Sequence, residues 1–80
     1  NAVVDDFSIR CFPNPVRNNL NVESTELITR LEIFDMSAKM IYSTTDTAKS
    51  IDLSAFPGGS YIVKITTAID VKKELIIKLN

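Results

Sequence analysis

The chain has 80 residues, 45% of them apolar, with a formal net charge of −1, one cysteine and no histidine or tryptophan. That length is one domain, and a domain so small buries only about 60% of the surface its unfolded chain exposes. A near-neutral charge without a basic run excludes a nucleic-acid partner, which needs several phosphates neutralised. A single Cys11 excludes an internal disulfide, and with no histidine the usual zinc ligand sets are excluded too; no cofactor is expected.

Cys11 itself reads as a small buried apolar residue rather than a reactive thiol. No segment approaches the roughly 18 apolar residues of a membrane helix, and the start lacks a basic region followed by an apolar one, so no membrane insertion is expected. An export signal, if there is one, lies outside these 80 residues.

In chain order, residues 1–6 are polar after a short Ala-Val-Val and read as a linker from something upstream, with the folded domain at residues 7–80. Phe7, Ile9 and Cys11 alternate with Ser8 and Arg10, the period of a half-buried strand that stops at Phe12. Pro13-Asn14-Pro15 makes the stop: two prolines remove two amide donors, so the segment belongs at a sheet edge or bend, where the Asn14 side chain can satisfy nearby backbone. Leu20 and Val22 mark a second strand, and residues 29–34 a third with Leu31 and Ile33 inward. A helix starting near Thr25 is the competing reading, but the β-branched and aromatic content favours a strand. Asp35 to Lys39 form a turn, Met40, Ile41 and Tyr42 a short fourth strand, and residues 43–50 a loop.

Residues 51–65 read as a sandwich corner. Ile51 and Leu53 end one strand, Pro57, Gly58 and Gly59 turn the chain, and Tyr61, Val63 and Ile65 share one face of the next. A tyrosine placed there can bury its ring and bond its hydroxyl to backbone upstream. Residues 66–70 connect to a last strand over 71–79, in which Leu75, Ile77 and Leu79 share one face and Glu74, Ile76 and Lys78 the other. On that alternation Ile62 and Ile76 face outward, and Lys64, Lys72, Lys73 and Lys78 are solvated faces or edge protection before they are a recognition surface. About seven short strands with turns every 8 to 12 residues predict an all-β, immunoglobulin-like antiparallel β-sandwich with Greek-key connections.

Catalysis is not expected. Without histidine there is no Ser-His or Cys-His pair, no glycine-rich phosphate loop is present, and Asp5, Asp6, Asp35, Asp46, Asp52 and Asp70 fall at turns or strand ends.

Several motifs carry a resemblance. Phe12-Pro13-Asn14-Pro15, then Leu20-Asn21-Val22, then Leu31 to Asp35 with Lys39, then the run from Gly59 through Tyr61 to Ile65, and a lysine-flanked apolar last strand follow one another in order. In that order and spacing, from about residue 7 to residue 80, the chain resembles the C-terminal sorting domain of the type IX secretion system. The resemblance implies a non-catalytic tag on a secreted protein of Bacteroidetes-type bacteria. Such a tag is read in the periplasm by outer-membrane type IX translocon components and removed by a sortase-like surface protease, leaving the cargo at the surface or released. It also implies recognition weight on residues 59–65 and on residues 72–80, including Lys72, Lys73, Lys78, Leu79 and Asn80. One departure stands out: where the family has glycine in the turn after Asp35, this chain has Ala38, so a different turn form is expected if that position needs positive φ.

A C-terminal strand with an open edge would suit recognition by strand addition, with Lys78 and Leu79 giving selectivity, and would also permit self-association. The alternative reading is a fibronectin-type or carbohydrate-binding accessory module. Against sugar binding stands the aromatic supply: with Phe12, Phe34, Phe56 and Tyr61 expected inward, only Tyr42 and Phe7 remain for stacking.

Overall fold

Alternating apolar residues of high β propensity form seven strands, and a computed structural model describes them over residues 9–45 and 50–80. They are β1 (Ile9–Phe12), β2 (Asn19–Ser24), β3 (Ile28–Asp35), β4 (Met40–Thr44), β5 (Ser50–Asp52), β6 (Gly59–Thr67) and β7 (Val71–Lys78). The linker expected at residues 1–6, and Phe7, lie outside the described residues.

One sheet has the order β1-β2-β5 and the other β4-β3-β6-β7, with all neighbours antiparallel. The chain crosses between sheets after β2, β4 and β5, giving the interlocked immunoglobulin-like sandwich that the spacing predicts. Helical turn signals near Thr25 lose to the strand: the Glu26 amide donates to Ser24 Oγ in a bend, and β3 begins at Ile28, one residue earlier than expected.

Leu20 and Val22 of β2, Leu31 and Ile33 of β3, and Val63 and Ile65 of β6 meet between the sheets, joined by Leu53 and Val16 from the connections. Each is fully buried, and burial of a side chain of this size stabilises the fold by roughly 1.5 to 3 kcal/mol.

The faces of β7 are the reverse of the sequence expectation. Leu75 and Ile77 are 52% and 42% exposed, whereas Ile76 is only 1% exposed. The register explains it: Ile76 stands opposite Tyr61 and Glu74 opposite Val63, and residues directly opposite each other in an antiparallel pair share a face. Lys78 lies on that inner side too. It is 5% exposed, and its ammonium donates to the Leu79 carbonyl at 2.8 Å, so it is not the solvated strand lysine expected. Ile62 does face outward, opposite Leu75.

The aromatic residues also divide differently. Leu31 and Ile33 point inward, so alternation sends Phe34 to the outer face, while Phe12 shares the outer face of β1 with Arg10, whose guanidinium lies 5.0 Å from its ring centre. Tyr42 is not free for stacking, because it turns inward against Phe56 at 6.5 Å between ring centres.

Candidate functional site

The Pro13-Asn14-Pro15 stop is also a cover for β7. Both prolines follow cis peptide bonds and neither can donate to a sheet, so the segment runs along an edge. There Asn14 supplies with one side chain what a neighbouring strand would supply with its backbone: Nδ2 donates to the Leu75 carbonyl at 3.0 Å, and Oδ1 accepts from the Ile77 amide at 3.0 Å. Backbone pairing then takes over. The Val16 amide donates to the Ile77 carbonyl and the Leu79 amide donates to the Val16 carbonyl, both at 2.8 Å, in a parallel bridge. Arg17 Nη1 donates to the main-chain oxygen of Asn80 at 2.9 Å, and Asn80 Oδ1 accepts from the Gly58 amide at 3.0 Å. A Cβ at Gly58 would stand 2.9 Å from the Asn80 side chain, so a larger residue there would push Asn80 out of this contact.

Residues 14–17, 58 and 75–80 therefore make one clasp. Its existence corrects the expectation of an open edge at Lys78 and Leu79, since the edge groups of Leu75, Ile77 and Leu79 are already bonded. Strand addition or self-association at that point would have to displace the clasp.

The corner beside it is built as its residues suggest. The Tyr61 hydroxyl donates to the Pro57 carbonyl at 2.5 Å, and its buried ring meets Phe56 edge-on at 5.7 Å. Gly59 has a φ of +150°, which side chains rarely adopt, and it opens β6 two residues before Tyr61. Leu53, whose amide donates to the Asn18 carbonyl at 2.7 Å, ties the crossing to the start of β2.

At the far end of β3, Asp35 organises the turn to β4. Its Oδ1 accepts from the Ser37 hydroxyl at 2.7 Å, the Ser37 amide at 2.9 Å and the Lys39 amide at 3.0 Å. The Ser37 hydroxyl, followed by the Lys39 amide, holds the carboxyl below its ordinary range. Ala38 keeps the positive φ of the turn at +69°, so alanine does not convert it to another form; it bears the strain instead. Asp52 is held low in the same way by Ser54. Burial, with the Glu74 charge nearby, pushes the Cys11 thiol up to about 11, which keeps it protonated at neutral pH.

The lysines named from the sequence do not form one cluster. Lys64 and Lys73 face each other across β6 and β7 on the outer sheet face, with Glu32 3.9 Å from Lys64. Lys72 is exposed opposite Ile65, Lys39 lies in the Asp35 turn, and Lys78 is buried inside the clasp. Val16, Arg17 and Gly58 were missed as members of the site. Only Val16 carried a local signal, an apolar residue directly after the proline stop that no strand claimed.

Among the described residues no group of three His, Cys, Asp or Glu side chains is placed to share a metal ion. Fold and site together define an immunoglobulin-like module whose motif residues bind its own last strand. A model of the secretion system C-terminal sorting domain matches residues 10–78, most of the chain, and the protein belongs to that family. It is a sorting signal of type IX secretion, directed to export through that machinery, and sorting domains of this family are generally non-catalytic. A search of curated proteins returned no match.

Proposed function

We propose that residues 7–80 are the sorting module of a larger secreted protein and that residues 1–6 link it to the cargo. The folded module is read in the periplasm by the outer-membrane translocon, and a sortase-like surface protease then cuts it away on its N-terminal side. The cargo is left at the cell surface or released.

The observation that carries this reading is the family match over residues 10–78. The clasp supports it from the physical side, because it gives residues 75–80 one fixed arrangement that a receptor can dock against without ordering a loose strand. The recognition residues proposed are Pro13, Asn14, Pro15, Asp35, Lys39, Gly59, Lys64, Lys72, Lys73, Leu79 and Asn80, with the buried Tyr61 and Lys78 shaping the surface from beneath.

A reporter carrying a periplasmic signal, fused ahead of residues 1–80, tests the reading. It should reach the surface or medium in a type IX-competent bacterium and stay periplasmic in a strain lacking the translocon. Retention in both strains overturns it.

A further inference from the structure

The outer face of the four-stranded sheet is not the polar surface that a solvated sheet presents. Phe34, Ile62 and Leu75 stand side by side across β3, β6 and β7, and Met36, 64% exposed, overhangs them from the Asp35 turn. Together they line an open groove of about 550 Å³. One flank of the groove is Lys64 and Lys73, directly opposite each other on neighbouring strands. Like charges in that position repel. Glu32, 3.9 Å from Lys64, offsets that charge in part, but no carboxylate among the described residues is paired with Lys73.

An apolar trough lined also by Asp35, with Lys73 on its rim lacking a carboxylate partner, is complementary to an acidic group placed at Lys73 beside large apolar ones. We propose that this groove docks a segment of a partner polypeptide in which an acidic residue neighbours large apolar side chains. The acid would bridge Lys73 and Lys64, and the apolar side chains would lie on Ile62 and Leu75 beneath Met36. A polypeptide suits the site better than a lipid surface. Two rim lysines beside Glu32 and Asp35, in a chain of net charge −1, fall short of the 4 to 8 basic residues, roughly, that hold a protein on an anionic membrane. The groove and the clasp meet at Leu75, whose side chain lines the groove and whose carbonyl accepts from Asn14.

The proposal rests on the sorting reading, and its test separates the two. The reporter fusion is compared with its Lys64→Glu/Lys73→Glu, Lys64→Arg/Lys73→Arg and Leu75→Ser variants and with an Arg10→Glu control on the opposite sheet, each checked for folding by circular dichroism. Export should fall by roughly tenfold or more in the glutamate and serine variants, as when charge or anchor contacts at an interface are reversed, stay above the glutamate variant's level in the arginine variant, and hold in the Arg10→Glu variant. A photo-crosslinking residue at Met36 should trap a polypeptide. If the unaltered fusion is not exported, the sorting reading fails. If it is exported and the folded glutamate and serine variants are exported equally, or if Met36 crosslinks only to lipid, the groove proposal is overturned while the sorting reading stands.

Discussion

At the level of single residues the Asp35 turn holds two opposed effects. Ala38 at a φ of +69° carries the strain of a left-handed conformation, roughly 1 to 2 kcal/mol for an L residue. Ala38→Gly removes that strain but adds freedom to the unfolded chain, so the net gain is about 0.5 to 1 kcal/mol, read as a rise of a few degrees in Tm. Asp35 works in the other direction. Its carboxyl is held low in the folded state, chiefly by the Ser37 hydroxyl, so below the ordinary carboxylate range the unfolded chain binds the proton more readily than the folded one. Its contribution is therefore complete above about pH 4 and is lost as pH falls through the folded value. Urea denaturation should find Asp35→Ala less stable than the parent at pH 7, with the gap shrinking toward pH 2.5.

At the level of elements, most strands were legible because one face is plainly apolar. Leu31 with Ile33, and Tyr61 with Val63 and Ile65, leave no other choice of inner face. β7 does not have that property: Leu75 and Ile77 compete with Ile76, and counting apolar residues favours the wrong side. Pairing with β6 decides it, and pairing is a long-range fact. The same limit applies to the clasp. Pro13-Asn14-Pro15 reads correctly as a stop, but nothing near it in the sequence shows that Asn14 bonds Leu75 and Ile77, 61 and 63 positions away. The corner was legible because all its parts are local, from Leu53 to Tyr61. The corrected faces of β7 can be checked directly. Ile76→Ala should cost about 2 to 5 kcal/mol by emptying core volume, and Leu75→Ala less than about 1 kcal/mol, by chemical denaturation of the two variants.

For the whole molecule, the clasp makes the last strand both a structural part and a candidate recognition element. Removing residues 78–80 deletes the bonds from Leu79 to Val16, from Arg17 to Asn80 and from Gly58 to Asn80, so lost export after such a deletion does not by itself identify a receptor contact. Asn14→Ala removes two edge bonds and should cost about 1 to 2 kcal/mol, with faster hydrogen exchange at the Ile77 amide. Combined with the deletion it should cost less than the two effects added, because both open the same unit. The bonds that Asn14 and Arg17 make in the clasp join residues 61 to 63 positions apart. A chain cut short before residue 75 lacks the groups on which Asn14 and Arg17 close, so the clasp is a late-forming contact that joins the two ends of the folded module.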